Sequence, residues 1–179
     1  MVYAGSSDNK VYALNASTGA LLWSYATGDY VDSSPAVANG VVYVGSNDKS
    51  VYALNASTGA KLWGYTTGGA VTSSPAVANG VVYVGSNDKS VYALNASTGA
   101  KLWRYRTGGA VTSSPAVANG VVYAQSSYNF YALNAKTGAR LWFYQHGNDG
   151  YPSPAVANGF VYVYSGGGSQ KLYAFGLTP

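Results

Sequence analysis

Ala53-Leu54-Asn55-Ala56-Ser57-Thr58-Gly59-Ala60-Lys61-Leu62-Trp63 is one of four versions of the same stretch, and the rest of the chain is spaced by them. The tryptophans that close the four copies, Trp23, Trp63, Trp103 and Trp142, follow one another at intervals of 40, 40 and 39 residues. A period of this length is the signature of a propeller or a solenoid. Within the stretch, Thr58-Gly59 reads as a turn, because glycine takes positive φ at no steric cost. Gly19, Gly99 and Gly138 hold the same place in the other copies.

Working outward, residues 33 to 65 contain one full set of segments. Ser33 to Asn39 is small-residue strand material ending in Asn39-Gly40, the strongest two-residue hairpin signal. Val41 to Ser46 follows, then the polar turn Asn47 to Ser50, then Val51 to Leu54, and the Asn55 to Gly59 turn hands the chain to Lys61 to Tyr65. These are four antiparallel strands of about five residues, here termed a, b, c and d. Val42 and Val44 alternate with Val41 and Tyr43, so strand b is apolar on both faces and its sheet must be covered on both sides. Small sheets radiating about an axis meet that requirement. Pro35 cannot donate to a ladder and belongs at an edge. With small neighbours around it, strand a is expected to line the axis. Lys61, with Arg104 and Arg106 in the third copy, reads as charge that keeps the outer edge from pairing with other chains.

The units run 2–40, 41–80, 81–120 and 121–159, with a partial unit at 160–179, in one repeat domain covering 1–179. The fold class expected is all-β: a β-propeller of four-stranded antiparallel blades, four to five per chain, with incomplete blades at both ends. The chain opens with strands b, c and d and closes with a, b and c. Open sheet faces as apolar as a core invite association. Units 41–80 and 81–120 differ only at Gly64/Arg104 and Thr66/Arg106, which implies recent duplication or design.

Charged residues are 9% of the chain against 47% hydrophobic, which excludes disorder. Ten Lys and Arg against six acidic residues, all Asp, give +4, but the basic residues are scattered at about one per repeat, unlike a nucleic-acid footprint. No Cys is present, so disulfides, thiol catalysis and thiolate metal sites are all excluded. No apolar run reaches membrane-spanning length, and Met1 leads directly into strand-like sequence, leaving either a cytosolic protein or one whose leader lies upstream.

The pattern Ala-x-Asn-x-x-Thr-Gly-x-x-x-Trp, at Ala13 to Trp23, Ala53 to Trp63, Ala93 to Trp103 and Ala132 to Trp142, resembles the tryptophan-docking motif of pyrroloquinoline-quinone-type propeller repeats. Ser-Ser-Pro-Ala-Val and Val-Tyr-Val-Gly-Ser flank it as in that family, and the likeness covers the whole chain. The resemblance implies eight-bladed rings, found both in quinoprotein dehydrogenases and in a lipoprotein of the outer-membrane barrel-assembly machinery that serves as a binding scaffold. It implies that each tryptophan packs on the next blade, and a periplasmic or cell-surface location where a leader precedes the chain. The dehydrogenases use an adjacent cysteine pair and a calcium site with a Glu ligand; this chain has neither Cys nor Glu. No cofactor and no catalytic or metal residue is therefore expected.

The remaining candidates are in loops. Asp29 and Asp32 lie in the d-to-a connection of the first unit, and His146, Asp149 and Tyr151 in that of the fourth, where a ligand-facing loop is expected. His146 and Asp149 alone are too few for a metal site. The turns at Asp8, Asp48 and Asp88 lack the alternating acidic ligands of a calcium loop. Asn15, Asn55 and Asn95 match glycosylation acceptors but coincide with the repeat's own turn. Most of the eighteen tyrosines fall at repeated strand positions; Tyr128, Tyr151 and Tyr164 do not, and are candidate ligand contacts. The function expected is a non-catalytic scaffold for protein or ligand binding, completed by dimerisation into an eight-bladed ring. The alternatives are a fragment or engineered amplification with no independent function, and a degenerate quinoprotein dehydrogenase.

Overall fold

The computed structural model describes residues 1–145, 152–165 and 171–176, and all its regular structure is strand. The strands form five antiparallel sheets in chain order. The first has three strands, β1 (Val2–Ser6), β2 (Lys10–Leu14) and β3 (Leu21–Ala26). Three four-stranded sheets follow: β4 (Ala36–Ala38) to β7 (Lys61–Thr66) by way of β5 (Val41–Gly45) and β6 (Ser50–Asn55); β8 (Ala76–Ala78), β9 (Val81–Ser86), β10 (Ser90–Asn95) and β11 (Lys101–Arg106); and β12 (Ala116–Ala118), β13 (Val121–Gln125), β14 (Asn129–Asn134) and β15 (Arg140–Gln145). The last sheet has three, β16 (Ala155–Ala157), β17 (Phe160–Ser165) and β18 (Lys171–Gly176). Each is a meander, and among the described residues the first sheet has no strand a and the last no strand d.

Local chemistry accounts for the turns. Asn39 and Gly40 both have positive φ, 49° and 75°, as a two-residue hairpin of the favoured hand requires. In the c-to-d turn the Asn55 side chain accepts from the backbone N–H of Ser57 and Thr58, while Gly59, at φ 73°, donates its N–H to the Asn55 carbonyl. Strand a is shorter than its sequence suggests: only Ala36–Ala38 pairs with β5, and Pro35 stands just before it, where a missing N–H costs no ladder bond.

Each strand a contacts the strand a of the next sheet, so these short strands line the centre of the arc. Successive sheets bury their facing side chains in four clusters, such as Val11, Ala13 and Trp23 of the first sheet against Val42, Val44 and Leu54 of the second. Burial follows position in the arc. Val51 to Leu54 of β6 are buried on both faces, whereas in β2 only Val11 and Ala13, which face the second sheet, are buried. The alternation in β2 is the period of two of a sheet covered on one side.

Between strands c and d the pairing slips at the same place in the first four sheets, Ala53 facing Trp63 and Leu54 facing Lys61, which leaves Leu62 as a bulge. A bulge increases local twist and re-aims the neighbouring side chain. The bulged leucines, Leu22, Leu62, Leu102 and Leu141, are exposed on the outer rim.

Candidate functional site

The most fully built feature is the slot between neighbouring sheets. The indole of Trp23 lies over the c-to-d turn of the second sheet, and its Nε1–H donates to the Ala56 carbonyl at 2.9 Å. Trp63 donates to Ala96 at 2.8 Å and Trp103 to Ala135 at 2.9 Å. A Cβ placed on Gly59 would stand 2.7 Å from Trp23 Cε3, and Gly99 and Gly138 are equally crowded by Trp63 and Trp103. Only glycine allows the ring to approach so closely, and the positive φ of the same residue reinforces the requirement.

A second donor shares each carbonyl. The Tyr3 hydroxyl donates to Ala56 at 3.0 Å, Tyr43 to Ala96 at 3.1 Å and Tyr83 to Ala135 at 3.2 Å. Each tyrosine ring lies 5.7 to 5.8 Å from its tryptophan. In the sequence the only sign of this role is that Tyr43 and Tyr83 recur three residues after an Asn-Gly pair, in step with the tryptophans. The fourth copies differ. Trp142 packs on Phe130 and Phe175, with Tyr123 at 6.3 Å, beside a groove lined by Val121, Leu141 and Gly176. At the other end, Gly19 has the turn geometry of its counterparts, φ 70°, but no described atom within 4 Å of an added Cβ.

The paired serines of Ser-Ser-Pro have distinct roles that the sequence did not disclose. The first is buried: Ser73 Oγ accepts from Gly85 N–H at 2.8 Å and donates to the Gly85 carbonyl at 2.9 Å, joining strand a to strand b. The second links sheets around the axis: Ser34 N–H donates to Ser74 Oγ, Ser74 N–H to Ser114 Oγ and Ser114 N–H to Ser153 Oγ, each at 2.9 Å.

On the opposite face, the d-to-a connections meet the b-to-c turns. Asp48 accepts from Gly28 N–H of the preceding sheet at 2.8 Å and from the Tyr52 hydroxyl at 2.6 Å. Burial pushes its carboxyl up, but the hydrogen bonds from Tyr52, Gly28 and Ser50 outweigh this and hold it below the usual range. Tyr52 is pushed up to about 12, by burial first and then by the Asp48 hydrogen bond. Asp88 repeats the arrangement with Gly68 and Tyr92 and also takes an ion pair from Arg104 at 3.1 Å. Arg104 lies over the Tyr92 ring and donates to Ser90 Oγ as well, while remaining, like Arg106, exposed.

Of the loop candidates, Asp29 accepts from Tyr30 N–H, and Asp32 accepts from the Asn47 side chain at 2.8 Å; both are exposed. His146, Asp149 and Tyr151 lie outside the described residues. Tyr128 is exposed in the b-to-c turn of the fourth sheet, on the same face as Asp29, and Tyr164 is exposed on the outer side of β17.

The family described as outer membrane protein assembly factor BamB matches residues 1–73 and 51–178, which together take in nearly the whole chain. The chain belongs to this family of PQQ-type propeller repeats. Among solved structures it is similar to BamB from Moraxella catarrhalis, at 23% identity and a TM-score of 0.81, covering 98% of this chain and 54% of that one. The computationally designed protein Ika8 matches at 18% identity and 0.83, covering 97% and 54%. A quinohemoprotein alcohol dehydrogenase, ADHIIG from Pseudomonas putida HK5, matches at 23% and 0.76, covering 99% and 40%. At these identities the likeness is one of fold. The PQQ-repeat chain thus spans about half the length of the first two. No curated protein matches it.

The described donors of this PQQ-repeat chain do not assemble a calcium site of the kind the resemblance to the dehydrogenases implies. Among the described residues no three His, Cys, Asp or Glu side chains converge, and Asp48 and Asp88 already accept from tyrosine hydroxyls and backbone N–H groups.

Proposed function

We propose that the chain is a non-catalytic propeller scaffold that binds a protein or ligand and reaches a closed ring by associating with a second copy. The observation that carries this reading is that three inner sheets are complete, while the first and last described sheets have three strands each and expose apolar side chains such as Val2, Phe160 and Leu172. Open faces of this kind favour association. The match to an assembly-factor family supports a protein partner, and the commitment of Asp48 and Asp88 to structural bonds supports a role without chemistry. In this reading Trp23, Trp63 and Trp103 are docking residues, with Gly59, Gly99 and Gly138 as their receivers; among the described residues Trp142 meets Phe175 in place of a receiving glycine, and Gly19 meets no tryptophan. The face carrying Asp29 and Asp32 is the binding face; in the sequence His146, Asp149 and Tyr151 fall in the corresponding d-to-a connection.

Light scattering at micromolar concentration tests the reading, with the mass of two chains expected; the mass of one would overturn the ring. Titration with pyrroloquinoline quinone and calcium, followed by absorbance, is expected to be flat.

A further inference from the structure

The two ends of the arc carry opposite halves of one contact. Ala56, Ala96 and Ala135 each receive two donors from the preceding sheet, a tryptophan and a tyrosine. Ala16 stands at the same place in the same Asn-Ala-Ser-Thr-Gly turn, but is exposed and accepts from no described residue. Conversely, Trp142 and Tyr123 hold the donor positions of the fourth sheet, and the strand that follows has Gly176 where the turn-building Asn would stand.

The axis shows the same polarity. Ser74, Ser114 and Ser153 each accept from the serine N–H one sheet earlier, while among the described residues Ser34 Oγ receives nothing and Ser153 N–H has no acceptor. The missing pieces also match: the first sheet needs a strand a, and the last has one in β16.

The geometry points to strand exchange between two copies, in which β1, β2 and β3 of one chain join β16 of the other to make a complete four-stranded blade. This rests on the dimeric scaffold reading above and specifies its joint. Trp142 and Tyr123 of one copy then donate to Ala16 of the other, the indole covers Gly19, and Ser153 N–H donates to Ser34 Oγ. β17 and β18 leave the sheet position they hold in the single chain.

Two further observations favour exchange over stacking of the intact ends. Gly5, Gly45 and Gly85 let the d-to-a connection cross their strand so closely that an added Cβ would meet a Val31, Val71 or Val111 carbonyl at 2.4 to 2.6 Å. β17 has Tyr164 at that register, as β13 has Gln125, whereas β1 has Gly5 and is already crossed. The ring arithmetic agrees. The chain covers 54% of a BamB structure that it follows over 98% of its own length, which at this repeat spacing leaves room in that ring for about eight units. Three complete sheets and one composite sheet per copy supply eight from two copies, in a closed two-fold assembly; stacking all five sheets of each would supply ten.

The test uses the full chain, which has no native cysteine. In the double variant Ser34→Cys with Ser153→Cys, a short bismaleimide should join two chains covalently. The Ser34→Cys, Ser74→Cys pair, neighbours within one chain, should crosslink internally. Hydrogen exchange should show the Phe160 to Ser165 and Lys171 to Gly176 amides protected at nanomolar and unprotected at micromolar concentration. Trp142→Ala should raise the dimer dissociation constant at least ~100-fold, the loss of a large buried aromatic. The mass of one chain at micromolar concentration overturns both the scaffold dimer and the exchange. The mass of two chains without a 34–153 crosslink, and with the β17 and β18 amides still protected, leaves the dimer standing and overturns the exchange.

Discussion

The turn after β2 and the turn after β6 are built from the same five residues, Asn-Ala-Ser-Thr-Gly, with the same hydrogen bonds and nearly the same glycine φ, 70° and 73°. Ala16 and Gly19 of the first are exposed, whereas Ala56 and Gly59 of the second are buried. The difference lies wholly in what precedes them: Trp23 and Tyr3 stand before the second sheet, and no described residue stands before the first. A repeat therefore constructs its slot from local sequence, but the slot's stability is a nearest-neighbour property, as expected of an arc whose units touch only adjacent units.

The strongest way to break this comparison is to empty a filled slot. Trp63→Ala removes a ring that packs on Gly99 and donates to Ala96, and should lower unfolding stability by about 3 to 5 kcal/mol in urea denaturation. At concentrations where chains are separate, Trp142→Ala should cost clearly less. Equal losses would mean that the fourth tryptophan is as well seated as the inner ones.

A subtler version asks the glycines themselves. Gly59→Ala meets two penalties, a left-handed backbone and a Cβ 2.7 Å from Trp23, and should cost about 2 to 4 kcal/mol. Gly19→Ala meets only the first, about 1 kcal/mol, in separated chains. A gap that opens only on dilution would identify a second copy as the occupant of the first slot.

The titration curve sharpens the contrast on the other face. Tyr52, held at about 12, is neutral in the folded chain where an unfolded tyrosine would ionise near 10. Its contribution is full below about pH 10 and is lost as pH rises toward 12. Asp48 works in the opposite sense: its lowered carboxyl contributes above the ordinary carboxylate range, and that contribution is lost as pH falls. Tyr52→Phe should lessen the alkaline limb of thermal stability, read by following the melting temperature from about pH 9 to 12.

The sheet-by-sheet architecture was legible because hairpin and turn chemistry is local: Asn39-Gly40 and Asn55 to Gly59 fix their own backbone. The incomplete ends could be read from the order of strands. The c-to-d bulge at Leu62 could not, since nothing in Lys-Leu-Trp distinguishes a slipped register from a regular one. The serine links at the axis were equally hidden, because a Ser-Ser-Pro edge looks the same whether its hydroxyls face water or the next sheet. The tryptophan pattern was conspicuous, but the asymmetry between Gly59 and Gly19 depends on three-dimensional neighbours that no single repeat encodes.

The smallest expected effect tests whether two corresponding turns carry equal strain. The b-to-c turn needs a residue in the left-handed region, and the first sheet supplies Asn9 at φ 68° where the second has Lys49 at φ 76°. Asparagine tolerates that region better than lysine, whose Cβ crowds the backbone there. The Lys49 side chain is exposed, and the bonds this residue makes to Ser46 and Thr67 run through its backbone, so Lys49→Asn should keep them. Stability should rise by about 0.5 kcal/mol in urea denaturation. A fall would mean that the lysine contributes through its charge more than its backbone costs.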